Sequence, residues 1–99
     1  MTLEIQSAVA STFAEHLNST FRFHHGPAAF DLALVDVTDG SKHEHINFSL
    51  LFRGPLQPLL LQRTYTVEHD RLGQFELFIV PIRRDANGLY YEAVFNRSN

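Results

Sequence analysis

From Thr20 onward the chain alternates apolar and polar residues in short runs, and turn residues separate one run from the next. Successive side chains of a β-strand point to opposite faces, so each run predicts a strand with one buried face. Six short strands at this spacing predict a mostly all-β fold, a six-stranded antiparallel small barrel or sandwich with one short N-terminal helix. The predicted strands lie near residues 20–24, 30–37, 46–52, 64–69, 74–82 and 89–96.

The turn residues support these boundaries. Asn87-Gly88 lies between two alternating runs and is the strongest hairpin signal in the chain. Residues 53–58 contain two prolines and are predicted to be a loop, because proline cannot donate to a strand ladder. In the second run the apolar positions change parity near Ala33–Val35, which predicts a β-bulge or a strand buried on both faces.

The alternation also assigns an inward face. The predicted inward side chains are Phe21, Phe23, Phe30, Leu32, Ile46, Phe48, Leu50, Phe52, Tyr65, Val67, Phe75, Leu77, Ile79, Tyr91, Ala93 and Phe95.

Helical spacing occurs only near the start of the chain. We predict one short helix at about residues 11–17, after a looser lead-in, that packs Phe13 and Leu17 on the sheet. A competing start at Thr2 stays open. At 99 residues with 44% hydrophobic content, the chain is expected to form one domain over residues 1–99, with its barrel at about 19–96.

Composition excludes several classes of protein. The sequence has no cysteine, which excludes disulfide scaffolds and thiol catalysis. Its net charge of −3 lacks the basic footprint of a nucleic-acid-binding protein. No apolar run is long enough to cross a membrane, and the N-terminus lacks the basic region of a signal peptide. We therefore expect a cytoplasmic protein with no nucleic-acid or membrane partner.

Six histidines are the unusual feature of the composition. His43 and His45 would share a face of an extended segment, and His24 and His25 precede a turn. A zinc site needs three or more rigidly held ligands, whereas these residues lie beside turns. We expect them to be solvated, and we predict no catalytic residue, cofactor or metal site.

Two further groups are candidates for a structural or binding role. Leu56, Leu59, Leu60 and Leu61 follow or lie within the proline-bounded loop, where they either cap the core or form a subunit or partner contact. Arg53 and Glu92 interrupt apolar strands and either face water or form an ion pair that ties the last strand to its neighbour.

Two hairpins have similar sequences. Thr20–His25 followed by Phe30-Asp31-Leu32 matches Thr64–His69 followed by Phe75-Glu76-Leu77. Either the hairpin is duplicated or two hairpins of one barrel share the same alternation, which is the interpretation we favour.

Residues 48–55 read FSLLFRGP and residues 91–96 read YEAVFN. With the intervening segments, these motifs resemble a family of small bacterial domains of unknown function over about residues 12–96. The resemblance implies a phage-derived context, since genes of that family often lie beside phage-tail-collar-like, so-called microcystin-dependent proteins. It implies no catalytic residue.

Three functions remain after this reasoning. The favoured one is a non-enzymatic module that acts in the assembly of a phage-tail-like or fibre-like structure, either through a collar-type protein or by self-association. Whether the module is itself incorporated into a phage-like particle stays open. The second is a small β-barrel enzyme or a ligand- or metal-binding protein that uses the His24, His25, His43 and His45 region. The third is a defence- or toxin-associated adaptor.

Overall fold

The computed structural model describes residues 3–98 and contains six strands and two short helical segments. A 3₁₀ turn and the helix α1 precede the strands. Their bounds are Ile5–Ser7 for the 3₁₀ turn, Ala10–Ala14 for α1, Thr20–His25 for β1, Ala28–Asp39 for β2, His45–Gly54 for β3, Arg63–His69 for β4, Gly73–Asp85 for β5 and Gly88–Ser98 for β6. The predicted all-β class, with six antiparallel strands and one short N-terminal helix, is confirmed.

All six strands belong to one antiparallel sheet that closes on itself in the order β1-β2-β3-β6-β5-β4. Strands β1–β3 and β4–β6 are two three-stranded meanders. They join along β3 and β6, through ten residue pairs from His45–Ser98 to Gly54–Leu89. They join again along β1 and β4, through only the three pairs between Arg22–Glu68 and His24–Thr66. The closure is therefore long on one side and short on the other.

The helix is shorter than predicted and packs differently. It ends at Ala14, and a turn follows over residues 15–18. Asn18 has a left-handed backbone (φ 69°), which ends this turn, and its N–H donates to the carbonyl oxygen of Leu34 at 2.6 Å. Phe13 is fully buried, but Leu17 is 42% exposed, so the predicted packing of Leu17 on the sheet is wrong. The chain turns away before Leu17 reaches the core.

One strand end also differs from the prediction. Residues 53–58 were expected to be loop, yet Arg53 and Gly54 extend β3 and pair with Tyr90 and Leu89. The loop begins only at Pro55, which has no N–H to donate to a ladder. The extra residue pairs lengthen the contact between the two meanders.

The parity change in the second strand marks a bulge. The register between β2 and β3 shifts between Leu34 and Asp36, as the apolar pattern predicted. A second shift, between Pro81 and Arg83, interrupts the pairing of β5 with β6. Each bulge lies in the strand that changes neighbours along its length.

The core contains every side chain predicted to face inward. Most are buried, and Phe30, Ile46 and Phe95 pack against the core while partly exposed. Phe13 fills one end of the barrel, where its ring lies 6.1 Å from that of Phe48 and 5.7 Å from that of Phe95, centroid to centroid. Within residues 3–98, neither helical segment has the length and hydropathy to span a membrane.

The two similar hairpins also pair in the same way. Phe23 lies opposite Phe30 in the first hairpin, and Val67 lies opposite Phe75 in the second, as the sequence match aligns them. Because alternation alone produces such a match, the pairing does not distinguish duplication of the hairpin from shared alternation, the interpretation we favour.

Candidate binding groove

The proline-bounded loop between β3 and β4 carries the four leucines that the sequence singled out. Leu56, Leu59 and Leu61 are 39%, 55% and 59% exposed, whereas Leu60 is 4% exposed and belongs to the core. The loop was predicted either to cap the core or to form a contact surface, and different residues fit each alternative. Leu60 caps the core, and the other three form an exposed apolar surface.

Hydrogen bonds with two buried tyrosines, one as acceptor and one as donor, fix the loop to the barrel. The N–H of Leu60 donates to the hydroxyl oxygen of Tyr91 at 3.0 Å, and the hydroxyl of Tyr65 donates to the carbonyl oxygen of Leu61 at 2.8 Å. Burial raises the pKa of Tyr65, which keeps the phenol protonated as a donor. The exposed leucines are thus presented by a loop that is anchored next to them.

A continuous groove runs between this loop and the first half of β2. It consists of three adjoining cavities of about 260, 260 and 180 Å³. The first and second cavities share Asp31, Leu32 and Pro55. The second and third share Phe30, Pro58 and Leu60. We call this feature the β2 groove and define it by these shared residues together with Ala29.

Basic side chains mark both ends of the β2 groove. Arg53 lines one end, and Arg63 and His25 line the other. The guanidinium of Arg63 donates to the ring of His25. Among residues 3–98 the ion pairs are Arg22–Asp31 and His24–Glu68, so no carboxylate pairs with Arg53 or Arg63. Both groove arginines are available to an acidic ligand.

Arg53 and Glu92 do not form the ion pair that the sequence suggested. In the ladder Arg53 lies opposite Tyr90, and Glu92 lies opposite Leu51. The stem of the Arg53 side chain instead extends along the position of Gly88. In the part of the chain that the structure describes, the ion pair is absent. Arg53 faces water, which was the other alternative.

The four candidate histidines lie at opposite ends of the barrel. His24 and His25 end β1, beside the loop leucines, whereas His43 lies in the turn before β3, which begins at His45. His24 pairs with Glu68 across the β1–β4 contact. Over residues 3–98, no three histidine, aspartate or glutamate side chains come together as a metal site would require. The histidine region predicted for the second function is not assembled.

His69 is a buried histidine that the sequence reasoning did not single out. Its Nδ1 accepts from the N–H groups of Arg71 and Leu72 at 3.1 and 3.2 Å. Its Nε2 lies 2.9 Å from Ser19 Oγ, so the ring is the neutral tautomer that carries its proton on Nε2. Burial, and next the proximity of His16, lower its pKa. His69 follows Tyr65 and Val67 at a spacing of two along β4, and this spacing was the signal that could have placed it on the inward face.

A larger hollow adjoins the β2 groove at Thr20 and Asp31 and is polar. It has a volume of about 690 Å³ beside the short β1–β4 contact, and Arg22, Asp31 and Glu68 are among its lining residues. Arg22 Nε donates to Asp31 Oδ1 at 3.0 Å, and Glu68 pairs with His24. Because these charges pair with one another, we favour the smaller but apolar β2 groove as the binding site.

The fold and groove define a small closed antiparallel β-barrel domain with an apolar groove beside one strand. The model of the family DUF6916, described as a domain of unknown function, matches residues 8–95. The chain belongs to this family, and the matched segment contains α1 and all strands as far as Phe95. In comparisons with curated proteins and with solved structures, nothing matched.

Proposed function

We propose that this domain is a non-enzymatic protein-interaction module that acts in the assembly of a phage-tail-like or fibre-like structure. The β2 groove and the exposed leucines beside it form its binding face. The observation that carries the proposal is that the exposed Leu59 and Leu61 line an apolar part of the groove, on a loop held in place by Leu60. Leu56 is exposed on the same loop. Exposed apolar surface of this kind is typical of interfaces.

The phage-tail part of the proposal is supported by the motifs at residues 48–55 and 91–96. These motifs resemble a family whose genes often lie beside those of collar-type proteins. A collar-type protein is therefore the partner we propose, and binding to a second copy of the chain is the alternative.

The test is co-purification from the native host with a matched pair of variants. The first variant replaces Leu59 and Leu61 by serine. The control replaces Phe78 and Val94, which are 51% and 61% exposed on β5 and β6, by serine. Both variants remove two large exposed apolar side chains, but only the first removes them from the binding face.

We expect a collar-type protein to co-purify with the wild type and the control but not with the Leu59/Leu61 variant. Light scattering on the pure protein then tests for self-association. The proposal fails if both variants and the wild type retain the same proteins and have the same mass in solution.

A further inference from the structure

The first half of β2 has an unpaired backbone edge. Ala28–Ala33 pairs with β1 on one side. On the other side, pairing with β3 begins only at the Ala33–Arg53 pair. Within residues 3–98, no backbone hydrogen bond joins Ala28–Leu32 to the loop that follows β3. The edge forms one wall of the β2 groove.

The backbone groups that face the groove can be assigned. Leu34 directs its N–H to the carbonyl oxygen of Ser19, on the β1 side. Backbone groups alternate sides along a strand, so Ala33, Asp31 and Ala29 direct theirs away from β1. Ala33 lies opposite Arg53 of β3. Asp31 and Ala29 are left to present an N–H and a carbonyl each to the groove.

The opposite wall of the groove leaves these groups free. Pro55 and Pro58 have no N–H, so the loop cannot continue the ladder beside β2 at these two positions. Two apolar cavities lie between the loop and the strand, and Phe30 and Leu60 line both of them. Unpaired backbone groups next to side-chain pockets are what strand addition requires of a binding site.

The unpaired charges of the groove indicate what kind of strand is added. Asp31 also lines the groove, but its carboxylate is paired with Arg22. Arg53 lies at one end and Arg63, with His25, at the other. A ligand whose ends are acidic would pair with both arginines. The edge from Ala28 to Ala33 is six residues long, or about 20 Å at the usual rise per residue.

Taking the proposed function as its basis, we propose that the partner protein adds an extended segment of about six residues to the β2 edge. The segment is apolar at its centre and acidic at both ends. A second copy of this chain fits less well. Antiparallel pairing of two β2 edges about a twofold axis would bring Arg53 of one copy to Arg63 of the other, and like charges repel.

The experiment is selection from a display library of random twelve-residue peptides on the full chain, followed by affinity measurement of the selected peptides. Ala29→Pro removes one N–H that faces the groove, and Ala29→Thr is the control that keeps it. Arg53→Gln with Arg63→Gln removes the groove charges. Arg71→Gln with Arg84→Gln is the charge-matched control outside the groove.

We expect selected peptides to have apolar centres and acidic ends. Ala29→Pro should lower the affinity of these peptides about tenfold or more, whereas Ala29→Thr should not. N-methylation of alternate peptide amides should weaken binding for one alternate set only. This measurement uses the wild-type protein and so does not depend on the folding of a variant. Replacing Arg53 and Arg63 by glutamine should weaken peptide binding more than replacing Arg71 and Arg84 does.

Strand addition is overturned if no peptide is enriched, if both methylation sets act equally, or if the selected ends are basic. If the co-purified partner is nevertheless lost with the Leu59/Leu61 variant, the proposed function stands and only the mode of binding is wrong. If the peptide selection and the co-purification both give no difference from their controls, strand addition and the proposed function both fail.

Discussion

Neighbouring leucines in one loop have different physical roles. Leu60 is buried and its N–H is bound by Tyr91, whereas Leu59 is mostly exposed. Removing a buried leucine side chain costs the transfer energy of its atoms and leaves a cavity. Removing an exposed one costs little.

We therefore predict that Leu60→Ala lowers the free energy of unfolding by about 2–5 kcal/mol and that Leu59→Ala changes it by less than about 0.5 kcal/mol. Urea unfolding of both variants measures the difference. Equal midpoints for the two would contradict the assignment of Leu60 to the core.

Phe48 is fully buried between two other aromatic rings at the α1 end of the barrel. Its ring stacks on that of Phe95, with centroids 4.4 Å apart and planes 7° apart, and it also contacts Phe13. We predict that Phe48→Ala lowers the free energy of unfolding by about 3–5 kcal/mol. A urea midpoint equal to that of the wild type would contradict this prediction.

We expect His69 to make the free energy of unfolding depend on pH. Its pKa is lowered in the folded protein, so the unfolded chain takes up a proton first as the pH falls through about 6.5. The unfolded state then binds more protons than the folded state, and the free energy of unfolding falls as the pH drops from about 7.5 toward 5.

The matched variant is His69→Asn, whose amide oxygen can accept from the N–H groups of Arg71 and Leu72 without titrating. We predict a smaller decrease in stability over the same pH range for this variant, measured by urea unfolding at several pH values. Parallel curves for wild type and variant would show that His69 is not the group responsible.

At the scale of elements, the hairpin between β5 and β6 depends on a close approach of two glycines. Gly88 follows Asn87 in the turn, and a Cβ at Gly88 would overlap the carbonyl oxygen of Gly54. Gly54 ends β3, so this approach fixes β3 and the hairpin against each other. The turn signal read from the sequence marks a packing requirement as well.

We predict that Gly88→Ala lowers the free energy of unfolding by about 1–3 kcal/mol, because backbone must move to accept the methyl group. Gly40→Ala is the control, since a Cβ there meets only ordinary contacts, the nearest at 3.7 Å. Thermal unfolding compares the two, and a larger loss for Gly40→Ala would contradict the argument.

The sequence predicted those features that a local pattern determines. Alternation placed Phe21, Phe48 and Tyr91 inward, and the parity change placed the bulge at Val35. It did not separate Leu60 from Leu59, because the difference depends on tertiary contacts, such as the hydrogen bond from Leu60 to Tyr91, 31 positions away. Nor did it find the open edge of β2, which follows from the length of β3 and from the order of the strands.

At the scale of the whole molecule, the barrel is held together unequally. The β3–β6 contact has ten residue pairs, and the β1–β4 contact has three. Local opening begins where few backbone pairs and buried contacts must be lost. The β1–β4 contact is the place where this barrel opens at least cost.

We predict that the amides of Arg22 and His24 that pair with β4 exchange with solvent faster than those of Leu50 and Phe52 on β3, which pair with β6. Hydrogen exchange followed by NMR measures both sets in one sample. Uniform protection around the sheet would contradict the unequal closure.

The loop that presents the exposed leucines is also the single covalent connection between the two meanders. Leu56, Leu59 and Leu61 take part in no strand pairing and are exposed, outside the core. We therefore expect substitutions at these three positions to leave the register of the strands unchanged. If these leucines bind the partner as we propose, changes in three codons would alter the choice of partner while the scaffold stays the same. Recognition and architecture would then be genetically separable in this domain.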